Sequence, residues 1–277
     1  MEGKRVLITG GNSGIGIVTA RELAKQGAEV VLACRDTAKT TAALKVINAG
    51  ASTPAINLPV ELDNLGSVRN LAANFLARYD RLDVLINNAG VFPPKQRFTV
   101  DGFEMQMGVN HLSHFLLTNL LLDCLKASAP ARVVTVSSKL HKAGEIDFDV
   151  FKGYEKYNSQ SAYSGSKLAN VLFGIELARQ LEGTGVTSNV LHPGAVSTDI
   201  IRDLPWLLRK IIGMFLILSP EKGALSNIML ASDPALAETN GKYYDQCELT
   251  DYSPQADDGS LCKKLWDVSA ELTGFVG

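Results

Sequence analysis

A chain of 277 residues, 46% hydrophobic and 20% charged, has the length and apolar content for one large globular domain or two small ones. Its formal net charge of −2 offers no overall attraction to nucleic acid or to an anionic membrane, so partners have to be read from local sites. The four cysteines, Cys34, Cys124, Cys247 and Cys262, form no CxxC pair and stand at no short spacing from histidine, which argues against a disulfide framework or a zinc site and fits packed thiols in a reducing, cytoplasmic setting.

The first element, "RVLIT" (5–9), begins almost at once and reads as a buried strand rather than as the apolar stretch of a signal peptide. A glycine-rich turn follows and opens an amphipathic helix over "GIVTARELAKQG", with Gly27 as its C′ glycine. Further strands are predicted at "EVVLA" (29–33), "AINLPV" (55–60), "LDVLIN" (82–87), "RVVTVS" (132–137) and "TSNVLH" (187–192), short apolar runs suited to burial on both faces. "MQMGVNHLSHFLL" predicts a helix or a helical bend. "KLANVLFGIELARQLEG" predicts a helix whose Leu168, Val171, Leu172, Ile175 and Leu181 make one apolar stripe. From about 198 to 230 the alternation breaks, as for an inserted helical lid over one end of the sheet. Within it, "LPWLLRKIIGMFLIL" (204–218) is interrupted by Arg209 and Lys210 and is too short and too charged to span a bilayer. "GKYYD" (241–245) predicts a short strand closing one edge, and "SLCKKLWDVSAELTG" a last helix. Strand then helix, repeated without a linker or an internal repeat, predicts a single α/β domain over 1–277: a doubly wound parallel sheet with helices on both faces, three α/β/α layers.

Gly10, Gly14 and Gly16 follow the first strand with the spacing GxxxGxG. Glycines there permit a tight turn and a close approach to a helix N-terminus, whose free N–H groups suit a pyrophosphate. No lysine follows as in a phosphate loop, which disfavours ATP hydrolysis. The end of the second strand selects the cofactor: a carboxylate would repel a 2′-phosphate, whereas the sequence places Cys34 and then Arg35, with Asp36 partly offsetting the charge. This predicts NADP(H). The alternative is a solvated arginine at a strand end.

At this point the chain resembles the short-chain dehydrogenase/reductase family. The matching segments are "TGGNSGIG" (9–16), "NNAG" (87–90), "VNHLSHF" (109–115), "VTVSS" (134–138), "YSGSK" (163–167) and "HPGAVST" (192–198), in the family's order. Within the family, "ACRD" (33–36), "NHLSHFLLT" (110–118), "SKLANVLF" (166–173) and the long interval from Ser138 to Tyr163 are similar to the retinol dehydrogenase and WW-domain oxidoreductase branch, many members of which begin with a membrane anchor. The resemblance implies a Rossmann-type fold and an NADP(H)-dependent interconversion of a carbonyl and an alcohol.

Tyr163 and Lys167 lie four residues apart and so share one helix face. A phenol titrates near 10 in water, and a nearby ammonium, joined by a cationic nicotinamide ring, favours the phenolate, which makes the pair an acid/base unit. Ser138, at the carboxyl end of a buried strand, is placed to hold a carbonyl oxygen while Tyr163 donates a proton; Ser137 competes, and the family pattern selects the second serine. By resemblance Asn110 holds a water that links Lys167 to solvent, the alternative being an asparagine bonded to nearby backbone. The implied catalytic set is therefore Asn110, Ser138, Tyr163 and Lys167, while His111 and His114 are expected to be structural. The cofactor set comprises Gly10, Asn12, Ser13, Gly14, Ile15, Gly16 and Arg35, then Asn88, Ala89 and Gly90, Tyr163 and Lys167, and by resemblance Pro193, Gly194, Val196 and Thr198 around the nicotinamide. Asn87 has a structural reading at least as strong as a functional one. The family's adenine-contacting aspartate after the third strand is replaced by Glu61 before Leu62, with Asp63 nearby.

The substrate wall is expected from loops at 91–98, 141–157 and 200–218, where Trp206, Leu207, Leu208, Ile211, Ile212, Met214 and Phe215 suit a lipophilic aldehyde or ketone, a retinal-like one included, or else pack as a lid, a peripheral membrane contact or a subunit contact. The resemblance implies a homodimer or homotetramer paired through helices near 110–126 and 160–182. Two other functional readings remain. A light-dependent protochlorophyllide reductase-like enzyme is disfavoured by Leu168 and Ala169 after Lys167 and by the intact "NNAG", and a catalytically silent NADP(H)-sensing scaffold by the intact four-residue set.

Overall fold

The computed structural model describes residues 1–194 and 218–276. Eight strands form one sheet in the order β3-β2-β1-β4-β5-β6-β7-β8. The strands are β1 (Arg5–Thr9), β2 (Glu29–Cys34), β3 (Ile56–Pro59), β4 (Val84–Asn87), β5 (Ala131–Val136), β6 (Val186–His192), β7 (Tyr243–Asp245) and β8 (Glu248–Leu249). All pairs are parallel except β7 with β8. The six strands read from the sequence are present to within two residues at each end. "GKYYD" does form a strand, β7, but the edge is closed by β8, which follows a two-residue turn through Gln246 and Cys247 with φ of 50° and 72°.

Successive side chains of a strand point to opposite faces, and here both faces are buried. Val6 and Ile8 of β1 join a cluster with α1 (Gly14–Lys25), α2 (Ala38–Asn48) and α7 (Pro220–Ser232), whereas Leu7 joins the cluster beneath α3 (Leu65–Arg78), α4 (Ser113–Leu120), α6 (Ser159–Gln180) and α8 (Gly259–Thr273). The short α5 (Leu122–Ala127) leads into β5. Side-chain caps start the helices where they start: Asn64 Oδ1 accepts from Ser67 N, Asn158 Oδ1 from Ser161 N, and Asp258 Oδ1 from Ser260 N and Leu261 N. Each cap contributes about 1 kcal/mol.

Three features bear on the sequence reading. Helix α6 carries no single stripe: its small residues Ala162, Ser164, Gly165, Ser166 and Ala169 are buried along with the apolar ones, because the sheet, the turn before α4, and α8 cover it on several sides. The lid expected over 198–230 lies outside the described residues up to 217; the remainder includes α7, a layer helix whose buried Ala224 and Leu230 belong to the α1 cluster. Finally, α4 and α6, the expected pairing faces, are packed against the chain's own C-terminal helix. Trp266 meets Phe115 with ring centroids 5.0 Å apart and stacks on Phe173 at 5.8 Å, and Arg69 donates to Thr273 O at 2.7 Å and Gly274 O at 2.8 Å.

Candidate active site

A parallel sheet brings the carboxyl ends of its strands to one rim, where open α/β sheets place their ligands. In sheet order, that rim carries Glu61 and Leu62 after β3, Arg35 after β2, Gly10 to Gly16 after β1, Asn88 to Gly90 after β4, Ser138 after β5, and Pro193 and Gly194 after β6. Residues far apart in the chain thus form one line. Val196 and Thr198 lie outside the described residues.

The glycine loop leaves β1 with φ of +66° at Gly10 and +53° at Gly14, both in the left-handed region that favours glycine. A Cβ on Gly16 would come within 2.3 Å of Gly10 O, so only glycine lets α1 start this close to the loop. Ser13 makes no side-chain cap and the first turn of α1 holds no acidic residue, which leaves the helix N-terminus open to an anion. Gly10 N donates to Ala33 O at 3.1 Å, and the neighbouring Cys34 is a buried thiol that burial pushes up to about 11 against the pull of the loop's backbone N–H groups. Asn12 Nδ2 donates to Thr40 Oγ1 at 2.8 Å, and Thr40 Oγ1 donates to Arg35 O at 2.7 Å, which ties the loop to the arginine. Arg35 is exposed and makes no ion pair with a described residue. Glu61 is exposed, its N–H bound to Ser67 Oγ at 2.9 Å, and Leu62 packs against the core.

Thr9 is the hub that the sequence reading missed. Its Oγ1 accepts from Asn88 N at 2.9 Å and Ala89 N at 3.0 Å and meets His114 Nε2 at 2.8 Å, while His114 Nδ1 meets Asn110 O at 3.0 Å. Neutral His114, its pKa pushed down to about 4 by burial, therefore donates from Nδ1 and accepts at Nε2. Its signal was present in the "NHLSH" segment, as a histidine one helical turn after Asn110. Asn88 Nδ2 donates to Thr9 O at 2.8 Å, holding the loop, and Asn87 Nδ2 binds Thr118 Oγ1 at 2.9 Å inside the sheet, so the structural reading of Asn87 fits its place.

Asn110 stands in a π-helical turn (Met107–Leu112), a bulge often found at functional sites. Its Oδ1 accepts from Val91 N at 2.8 Å, and its Nδ2 donates to Val91 O at 3.1 Å and Ser166 Oγ at 3.0 Å. The side chain is thus bonded to neighbouring protein groups, the alternative left open by the sequence. A Cβ on Gly90 would sit 3.4 Å from both Asn110 Oδ1 and Lys167 Nζ, so the three positions adjoin.

Ser137 Oγ donates to Lys167 O at 2.7 Å and is turned into α6, whereas Ser138 Oγ accepts from Leu140 N at 3.2 Å and lies near enough to the Tyr163 phenol to favour its ionised form. The second serine is the one that faces the phenol. Tyr163 is half-buried, with Phe92 edge-on at a centroid distance of 4.8 Å. Burial pushes the phenol up to about 12 against the pull of Ser138, and burial pushes the Lys167 ammonium down to about 8. The expected lowering of the phenol by the ammonium is absent: Lys167 Nζ lies 5.6 Å from the Tyr163 ring centroid and donates to Val136 O at 3.1 Å. The protein alone keeps Tyr163 a protonated acid. His111, whose pKa burial pushes down to about 3, pairs through Nε2 with Ser269 Oγ at 2.8 Å in the core.

Comparison with known proteins agrees with this geometry. The family model for short chain dehydrogenase matches residues 4–205. Retinol dehydrogenase 14 of Mus musculus is 47% identical, the match covering 100% of this chain and 87% of that protein. Retinol dehydrogenase 13 of Homo sapiens is 45% identical over 99% of this chain and 85% of that one. Among solved structures, an uncharacterized protein from Mycobacterium paratuberculosis superposes with a TM-score of 0.80 and 36% identity, covering 99% of this chain and 94% of that one. The Pseudomonas aeruginosa RhlG/NADP active-site complex gives a TM-score of 0.72 and 27% identity, covering 88% and 95%. Among the described residues no helix is long and apolar enough to cross a membrane. With its doubly wound sheet, its glycine loop, and a tyrosine and lysine one turn apart at the rim, the chain belongs to the short-chain dehydrogenase family, on its retinol dehydrogenase-like side, and is an oxidoreductase of the alcohol/carbonyl couple.

Proposed function

We propose that the protein is an NADP(H)-dependent oxidoreductase that interconverts a lipophilic aldehyde or ketone, retinal-like substrates included, and its alcohol. The observation that carries this reading is the meeting of Ser138 and Tyr163 at the rim, with Lys167 one turn along α6 and the glycine loop two strands away. The loop fits a dinucleotide: a Cβ on Gly16 would meet Gly10 O at 2.3 Å and one on Gly10 would meet Ala89 at 3.1 Å, so glycine lets the loop pack this tightly against the Asn88 loop, and the open N-terminus of α1 suits a pyrophosphate. Gly10 to Gly16 would hold the pyrophosphate, Arg35 a 2′-phosphate, Glu61 and Leu62 the adenine side, and Asn88 to Gly90 the adjoining ribose. Lys167 would hold the ribose beside the reacting ring, and Pro193 and Gly194, with Val196 and Thr198, the nicotinamide. When bound, NADPH supplies the hydride for the carbonyl carbon.

The remaining steps belong to the protein. Ser138 Oγ–H orients the carbonyl oxygen, and Tyr163 Oη donates the proton to that oxygen as it gains negative charge. A phenol pushed up to about 12 is fully protonated at neutral pH and ready to give a proton in the reductive direction. Phe92, edge-on to Tyr163, forms part of an apolar wall that favours a lipophilic substrate. Following NADPH and NADH absorbance over retinal, medium-chain aldehydes, steroids and quinones tests the reading. The expected result is NADPH-dependent reduction of at least one lipophilic carbonyl compound with much slower use of NADH. No consumption of either cofactor across the panel would contradict it.

A further inference from the structure

Lys167 does not hold its carbonyl alone. The Val136 carbonyl lies beyond the last pairing of β4 with β5, at Asn87 and Thr135, and is served by side chains instead. It accepts from Lys167 Nζ at 3.1 Å and from Asn170 Nδ2 at 3.2 Å. Both donors come from α6, and both are buried. The carboxamide is oriented from behind. Asn170 Oδ1 and His111 Nδ1 are buried with no hydrogen-bond partner at close range among the described residues, and Asn170 is the group that offsets part of the effect of burial on His111. His111 in turn meets Ser269 Oγ of α8 at 2.8 Å. A flipped carboxamide would set two acceptor oxygens against each other at Val136, so chemistry fixes which end faces the sheet.

We propose that Asn170 is a positioning residue for Lys167: it keeps the Val136 carbonyl partnered, which allows the ammonium to turn from the sheet toward the cofactor without leaving a buried acceptor bare. The inference rests on the reading of Lys167 as a residue that holds NADP(H). A carbonyl oxygen has two lone pairs, enough for both donors at once, and the carboxamide stays on it when the ammonium turns away. With Asn170 gone, Lys167 becomes the one remaining side-chain donor of the two seen here. Each NADPH bound through the ammonium would then orphan a buried carbonyl, a penalty equivalent to roughly a tenfold loss of affinity or more.

The test is a double-mutant cycle on NADPH binding to the full chain, read by fluorescence titration without substrate, for wild type, Asn170→Ala, Asn170→Leu, Lys167→Ala and the Asn170→Ala/Lys167→Ala pair. Asn170→Leu keeps nearly the same bulk in case the alanine variant fails to fold, and thermal unfolding checks each protein. The expected result is roughly tenfold weaker binding on removing the carboxamide from wild type, and a change within about twofold when Lys167 is already alanine. Equal weakening in both backgrounds, or no weakening in wild type, would overturn the inference. If Lys167→Ala alone left NADPH binding untouched, the reading of Lys167 would fail first and the inference with it.

Discussion

Tyr163 and Lys167 are shifted in opposite directions by the same cause. Burial favours the neutral form of each, so the phenol is held protonated up to about 12 while the ammonium loses its proton from about 8. In the proposed function the group expected to limit the free protein at alkaline pH is therefore Lys167, whose charged form is present below its depressed pKa and is lost above it. The kcat/KM for NADPH is expected to be level at neutral pH and to decline above about 8; a profile unchanged to well above that value would assign the limit elsewhere. In the proposed function Arg35 selects the cofactor. Exposed and without an ion pair to a described residue, it is free to meet a 2′-phosphate, and Arg35→Ala is expected to weaken NADPH binding roughly tenfold while leaving NADH nearly unchanged, as titration of both cofactors would show. Equal effects would remove that role. The motif residues were legible because each needs a side chain of fixed chemistry at fixed spacing. Thr9 and Asn170 were not, because a buried polar residue gains its meaning from partners brought by other strands and helices.

At the scale of elements, periodicity located the strands well and the helix faces poorly. β1, β2, β4, β5 and β6 are continuous apolar runs because both faces are covered, and this is visible without a structure. α6 read as one stripe because small residues such as Ser164 and Gly165 carry no hydrophobic signal, although they are buried by close approach. β8 spans two residues, too few for any alternation to show. The last helix was legible as a helix but not its docking site on α4 and α6, the helices through which the family resemblance implies pairing. Their outer face is occupied by Trp266, His111 being tied to Ser269 beneath it. Ending the chain at Asp251 is expected to expose Phe115 and Phe173 and to cause association or loss of the fold. Sedimentation and thermal unfolding of both forms check this; a truncated chain as stable and as dispersed as the intact one would refute it.

At the scale of the whole molecule, the doubly wound sheet turns sequence distance into spatial neighbourhood. Strand order and the reversal between β1 and β4 set the glycine loop beside Asn88 to Gly90, and β5 then places Ser138 next in line. The opposite end of the sheet is held by Asp83, which receives Lys4 Nζ at 2.9 Å, Arg5 N at 2.9 Å and Arg81 Nε at 2.8 Å. Burial alone would raise this carboxyl, but Arg81, the Arg5 N–H and Lys4 outweigh it and hold the pKa below the ordinary carboxylate range. A lowered carboxylate stabilises the fold above its unfolded pKa and the contribution is lost as pH falls through the folded value. Asp83→Asn is thus expected to cost roughly 2 kcal/mol at neutral pH and to cost less in strong acid, which denaturant unfolding at both pH values would show. An equal cost at both would mean that charge is not the cause.

The most direct measurement is turnover and NADPH binding side by side in Tyr163→Phe, using whichever carbonyl substrate the wild type reduces. Removing one hydroxyl leaves the ring against Phe92 and the glycine loop intact, so NADPH affinity is expected to stay within about threefold while turnover falls by roughly a thousandfold or more. Turnover retained within about tenfold of wild type would show that the proton comes from another group.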